Sequence, residues 1–331
     1  MKYQDRIYGT IEINKPVILN LVESSNLQRM KGVDQHGHFE PYFPGTAYSR
    51  FEHSLGVFIL LKKFEVPLLE QVAGILHDVS HTVFSHVADY VFSNGSGERH
   101  NFQDDCFEEF IEKSEIPEIL EKHKINYKDI LDDSKFPLKE KELPDLCADR
   151  IDYFLRELEV TDKATQEEID EFIDNFTIID GLWVFKDKDL AKKYANLFLE
   201  INNWFWSGIE SAAMFKTTGD LVRYAIKKKI LTKGDLFTTD DEVWAKIRAV
   251  AGKNENLKLL IDRADNKFEY KSSNENSYDL CALCKSRIVD PLFLEGESLK
   301  RISEIDSDFL KLKEKYSEPK KYYIKFLERR S

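Results

Sequence analysis

The chain has 331 residues, 42% of them hydrophobic, and a formal net charge of −12. Such a chain can bury one large core or two smaller ones, and its acidity excludes general attraction to nucleic acid or anionic lipid. Its four cysteines, at 106, 147, 281 and 284, are too few and too scattered for a disulfide scaffold and point to a reducing compartment.

The start "MKYQDRIYGT" has no apolar signal region, and no run reaches the roughly 18 apolar residues of a membrane span, so a soluble, cytoplasmic protein is expected. The alternation in "RIYGTIEI" predicts a small hairpin, and "PVILNLVESSNLQRMKGV" has helical spacing. "DQHGHFEPYFPGTAYSR", rich in Gly, Pro and aromatics, reads as a loop before a helix over "RFEHSLGVFILLKKF". "PLLEQVAGILHDVSHTVFSHVADYVF" reads as helical with a break near Ser80; a turn, "NGSGERH", and a further helix, "NFQDDCFEEFIEKS", follow. Residues 115–142 are charged and loosely patterned, and "LPDLCADRIDYFLRELEV" reads as a helix with Pro144 in its first turn. "FTIIDGLWVFKD" predicts a hairpin turning at Asp-Gly. Residues 189–230, 239–250 and 278–286 read as helices, which makes Cys281 and Cys284 two small buried residues on a helix rather than half of a zinc ribbon. The predicted fold is mainly α with minor β.

Three of the eight histidines, His77, His81 and His86, fall in the short run "GILHDVSHTVFSH", with His53 upstream of it. His77 and Asp78 point about 100° apart on a helix, yet both reach an ion placed in the groove between them. An ion held for hydrolysis usually takes three or four protein ligands, leaving positions for water and substrate. The best further candidates are His53 in "RFEHSLGV" and Asp149 in "CADRIDYF", polar groups on apolar-faced helices that are costly there without a partner.

The order His53, His77-Asp78, Asp149 resembles that of the HD-domain metal-dependent phosphohydrolases. "DRIYGTIEI", "LQRMKGVDQHG", "FPGTAYSRFEHSLGV", "AGILHDVSHTVFSH" and "ADRIDYFLRE" resemble, in order, blocks of the dNTP triphosphohydrolase branch, which includes the sterile-alpha-motif-and-HD-domain protein and bacterial dGTPase-like enzymes. The resemblance implies a helical HD core over 1–165, with a helical region over 166–331 that packs on it and completes the substrate pocket or a subunit interface. It implies one divalent ion on His53, His77, Asp78 and Asp149, and the donor set suits Mn, Fe, Ni, Zn or Mg alike. It further implies that His81 and His86 face the phosphates and that His100 is the general acid. Asp89, about one turn from His86, would orient an imidazole. Arg50, Arg150 and Tyr153 align with phosphate contacts and Gln35 with a sugar contact. The protein would be a homo-oligomer.

The sequence departs from the branch at Ser80, where glycine is common, and at Asn101, where an acid is common. It departs again in "KKYANLFLEINNWFWSGIE", which lacks the arginine of the branch and carries Trp204, Phe205 and Trp206. One or two of these aromatics would form a wall that stacks on a base. Arg50, Arg150 and protonated histidines leave a triphosphate short of positive charge unless a lysine such as Lys216 or Lys285 folds in. The leading expectation is a dNTP triphosphohydrolase-like enzyme releasing tripolyphosphate. The alternatives are an HD phosphohydrolase of nucleoside monophosphates or short oligonucleotides, and a nucleotide-binding module with weak or no hydrolysis.

Overall fold

The computed structural model describes residues 1–92, 96–97 and 102–330. The chain opens with the expected hairpin, Lys2–Asp5 against Gly9–Glu12, its turn fastened by Asp5 Oδ1, which accepts from the Ile7 and Tyr8 amides at 2.8 and 3.1 Å. The helix read from Pro16 onward is two helices, Pro16–Glu23 and Ser25–Arg29. Ser24 makes the break: its hydroxyl accepts from the Leu27 amide at 3.3 Å, the local bonding by which serine competes with a continuous helix.

Helix Arg50–Lys63 is the central rod. Ser49 and Glu52 close its first turn as a capping box. Its residues from Phe51 to Leu61 are nearly all buried, the mark of a helix enclosed on every side. Helices Leu68–Leu76 and Ala148–Val160 pack against it. The second contact requires Gly56, where an added Cβ would lie 1.9 Å from Asp152 Oδ1 and 2.2 Å from Arg156 Nη2. Gly56→Ala should therefore push the two helices apart and cost about 1–3 kcal/mol, the usual cost of overpacking, read from the shift of the urea midpoint; an unshifted midpoint would refute the close approach.

The break near Ser80 is longer than the sequence suggested. Helix Leu68–Leu76 ends before His77, residues 77–86 run as turns, and the chain resumes as helix only at Val87–Phe92. Phe84 and Ser85 sit at positive φ, 56° and 52°, a strained region for residues other than glycine. Contacts from far along the sequence hold them there. The Val83 amide donates to the Leu236 carbonyl at 2.8 Å, and the Phe84 amide to Asp240 Oδ1 at 2.7 Å. Arg29 donates from behind to the carbonyls of Val79 and His81 at 2.9 and 2.8 Å.

Ala148–Val160 begins four residues after Pro144, so that proline lies outside the first turn expected for it. The Asp-Gly hairpin forms as read, Phe176–Ile179 against Leu182–Phe185, with Asp180 and Gly181 both at positive φ, 51° and 73°. Residues 189–230 form Lys188–Ile201 and Ile209–Lys227, separated by the wider π turn Asn202–Trp206. Asp240–Ala249 matches its reading, whereas helices Ile116–Lys122 and Glu255–Ala264 went unread.

The helix expected over 278–286 is instead the strand Leu280–Cys284, in which Leu280, Ala282 and Cys284 are buried and Cys281 and Leu283 half-buried. That alternation has period two, and a short apolar run does not by itself distinguish the two structures. Cys281 and Cys284 thus project to opposite faces and share no site. The strand lies between Ser96–Gly97 and the long strand Lys320–Arg329, whose far side pairs with Phe268–Ser272. A second four-stranded sheet orders Phe176–Ile179, Leu182–Phe185, Leu292–Glu295 and Ser298–Arg301. The protein is mainly α, as expected, and one apolar cluster runs from Ile7 through Phe154 and Phe205 to Ile324, so the regions on either side of residue 165 share a core. Among the described residues no helix is long and apolar enough to cross a membrane.

Candidate metal centre

Three elements converge on one point. His53 projects from the buried rod, His77 follows the end of Leu68–Leu76, and Asp149 stands in the first turn of Ala148–Val160. His53 Nε2 lies 2.9 Å from Asp149 Oδ1, His77 Nε2 lies 3.3 Å from the same oxygen, and the two Nε2 atoms are 3.2 Å apart. The other nitrogen of each ring is committed: His53 Nδ1 donates to Asp152 Oδ2 at 2.8 Å, and His77 Nδ1 to the Gly74 carbonyl at 2.7 Å. A carboxylate and a carbonyl only accept, so both rings carry hydrogen on Nδ1 and turn their Nε2 lone pairs toward one carboxylate oxygen. Such a convergence needs a cation between the groups, either protons on the rings or a metal ion. The same demand shows in protonation. Burial opposes charge on His53, but the hydrogen bonds to Asp149 and Asp152 outweigh it and push its pKa up to about 10. Imidazole and carboxylate donors with outer nitrogens already anchored fit a divalent ion. Asp152→Asn, which weakens that anchor, should lower metal affinity about 10- to 100-fold, measured by titration of the metal-stripped protein; unchanged affinity would deny Asp152 this role.

Asp78 joins the group less directly. Its carboxylate oxygens lie 3.6 Å from His53 Nε2 and 3.5 Å from His77 Nε2, while Oδ2 also accepts from Arg50 Nη1. Arg50 is buried, and its remaining nitrogens donate to Ser85 Oγ at 2.7 Å and the Gln35 carbonyl at 3.0 Å. The expected phosphate contact is thus engaged inside the wall. His81 Nε2 comes within 3.2 Å of Asp78 Oδ1 without hydrogen-bond alignment, and the His81 and His86 rings meet edge to face at 5.1 Å. Burial first, and then the Arg50 charge, hold both imidazoles well below their usual pKa. Both directions run against the expectation that these histidines carry positive charge. Asp89 Oδ2 sits 3.5 Å from His86 Nδ1. His100 and Asn101 lie outside the described residues.

Of the other expected contacts, Gln35 is buried with Oε1 unpartnered, and Tyr153 is half-buried with its ring 6.4 Å from that of His53. Arg150 donates to the Asp145 carbonyl at 2.6 Å and Cys147 Sγ at 3.1 Å, and lies 3.6 Å from Glu140. Glu140, Cys147 and Asp149 form a second close group, but this guanidinium already supplies its positive charge. Lys216 pairs with Asp220 and is unavailable. Trp204 is exposed, whereas Phe205 is fully buried and meets His36 edge to face at 5.0 Å, and Trp206 meets Tyr153 edge to face at 5.3 Å. The sequence reading passed over Asp152, whose spacing of three from Asp149 already placed it on the same helix face. It also passed over Arg29, His36 and Glu157. Glu157 Oε1 lies 3.5 Å from His36 Nε2 beside the metal cluster, in burial that lifts the carboxyl well above its usual pKa.

The HD domain family model matches residues 50–169. The chain is 33% identical to Uncharacterized protein YdhJ of Bacillus subtilis (strain 168), over 99% of each chain. It is 30% identical to Metal-dependent phosphohydrolase cns2 of Cordyceps militaris, over 87% of this chain and 83% of that one. Deoxynucleoside triphosphate triphosphohydrolase SAMHD1 of Gallus gallus is 30% identical over 141 residues, 37% of this chain and 23% of the relative. The crystal structure of a phosphohydrolase from Bacteroides thetaiotaomicron VPI-5482 shares the fold, with a TM-score of 0.73 over 99% of this chain and 100% of the other at 17% identity. The chain belongs to the HD-domain metal-dependent phosphohydrolases. It is therefore a hydrolytic enzyme whose chemistry implies a divalent ion.

Proposed function

We propose that this phosphohydrolase acts on nucleotides, cleaving a dNTP to deoxynucleoside and tripolyphosphate. The observation that carries the catalytic part is the convergence of two anchored imidazoles on Asp149, with His81 and His86 alongside. His53, His77, Asp78 and Asp149 would hold the ion. When bound, the ion supplies Lewis acidity toward a phosphoryl oxygen and lowers the pKa of coordinated water. His81 and His86 would present ring N–H groups to phosphate oxygens, Asp89 would keep His86 oriented, and His100 would be the proton donor. Arg150 and Tyr153 would lie along the phosphate chain. The nucleotide part rests on the partial likeness to SAMHD1, on the unpartnered Gln35 Oε1 as a sugar contact, and on Trp206, edge-on to Tyr153, as one wall of a base site. This aromatic comes from beyond residue 165, which supports a second region that completes the pocket of a core ending there.

One observation favours the narrower alternative, a phosphohydrolase of nucleoside monophosphates or short oligonucleotides: Arg50 and Lys216 are both engaged within the protein. A panel of dNTPs, NTPs, NMPs and short oligonucleotides, assayed with Mn and with Mg, separates the two by product. Tripolyphosphate from a dNTP is the expected result; inorganic phosphate from monophosphates alone would leave only the alternative. Size-exclusion chromatography of the same preparation tests the homo-oligomer.

A further inference from the structure

The last third of the chain brings two cations to this site. Lys285 and Arg287 follow the strand Leu280–Cys284, which is docked on the helix after His86: Tyr90 Oη donates to the Leu283 carbonyl at 2.8 Å. The next stretch is clamped by Asn202, at the start of the π turn that carries Phe205 and Trp206. Asn202 Nδ2 donates to Ser286 Oγ at 3.0 Å, and the Arg287 amide donates to Asn202 Oδ1 at 2.7 Å. Ser286 is buried and its two neighbours are half-buried, so Lys285 and Arg287 share one side of an extended segment. That side lies within electrostatic reach of the site. After burial and Arg50, Arg287 is the next charge acting on His86, and it acts also on His36, Tyr153 and Glu157. Lys285, whose pKa burial lowers, feels Arg287 and Arg150 and, in the opposite sense, Asp104 and Glu140.

What sets the pair apart is the lack of a direct ion pair: Asp104 and Glu140, which act on Lys285, and Glu157, on which Arg287 acts, all lie beyond ion-pair distance. The chain carries 60 acidic residues against 48 basic ones, and Arg50, Arg150 and Lys216 each have a carboxylate within ion-pair distance. Among the described residues, Lys285 and Arg287 make no ion pair and no side-chain hydrogen bond. Two like charges held half-buried side by side are costly unless an anion joins them. We infer that Lys285 and Arg287 receive the distal phosphates of a polyphosphate substrate and set the preference for triphosphate over monophosphate. The inference rests on the nucleotide reading above and supplies the positive charge that the engaged Arg50 and Lys216 do not.

The test compares wild type, Arg287→Ala, Arg287→Lys and Lys285→Met. A deoxynucleoside triphosphate and its monophosphate are the substrates, and binding of inorganic tripolyphosphate is followed by calorimetry. Loss of a charged hydrogen bond predicts a rise of roughly 10- to 100-fold in triphosphate KM and tripolyphosphate Kd for Arg287→Ala. The monophosphate KM and the metal content should hold, and Arg287→Lys should recover part of the loss. Equal weakening toward both substrates, or unchanged tripolyphosphate binding in both neutral variants, overturns the inference. If Arg287→Ala does not fold, Lys285→Met carries the same comparison. Wild type that hydrolyses no nucleotide yet binds tripolyphosphate through Arg287 would sink the nucleotide reading and leave the cation pair standing. Wild type that cleaves triphosphates with no dependence on either cation would do the reverse.

Discussion

Asp149→Ala is expected to abolish both bound metal and hydrolysis. One oxygen of this residue lies 2.9 Å from His53 Nε2 and 3.3 Å from His77 Nε2, so its removal takes the charge that makes a cation welcome between two facing lone pairs. A bound ion contributes several kcal/mol to the transition state of phosphoryl transfer, and each 1.4 kcal/mol or so is a decade, so the rate should drop by about 10³-fold or more. The measurements are elemental analysis of the purified variant and initial rates on whichever substrate the wild type prefers. Stoichiometric metal in Asp149→Ala would show that the ion is held elsewhere. Asp78→Ala should behave alike if Asp78 turns from Arg50 toward the ion; retention of metal there with loss at Asp149 would restrict the site to His53, His77 and Asp149.

The largest stability effect is expected at Arg156. This fully buried guanidinium bridges Asp152 at 2.8 Å and Asp5 at 2.9 Å, and Asp152 in turn holds His53. Arg156→Ala would leave the buried Asp5 carboxylate with no cation and Asp152 with His53 alone, a change that typically costs about 3–5 kcal/mol. Denaturation in urea reads the loss, and the Asp5→Asn background should recover part of it, because one of the stranded charges is then gone. A midpoint within error of wild type would mean that solvent or rearrangement compensates the pair. Since Asp152 also orients His53, the variant should bind metal more weakly even under conditions where it remains folded.

The metal cluster was legible in the sequence because its residues fall in or directly after strongly apolar helices, where burial makes a bare histidine or aspartate conspicuous. Gly56 and Asp152 were legible in principle from spacing along their own helices, but what they touch is set by the crossing of two helices far apart in sequence. The turn segment at 77–86 was read as a helix with a break because its apolar residues keep helical spacing. Acceptors at Leu236 and Asp240 draw it out of that spacing, and nothing local announces them. The strand Leu280–Cys284 was misread for a similar reason. Its partners are a two-residue strand at Ser96–Gly97 and the end of the chain, and pairing over such distances leaves little trace in a run of five residues. The direction faced by Lys285 and Arg287 depends on that pairing.

The dependence of the 77–86 turn on Leu236, Thr238 and Asp240 has a consequence for the newborn polypeptide. All four residues proposed to hold the ion have left the ribosome once Asp149 is out, but Asp240, which bonds the Asp34 and Phe84 amides, has yet to be translated. The Thr238 carbonyl that helps to seat Arg29 arrives at the same late stage. Until then the strained backbone at Phe84 and Ser85 lacks its distant anchors. Hydrolytic competence should therefore switch on late in synthesis, and a nascent fragment stopped after the HD segment would carry every one of those four residues and no working enzyme.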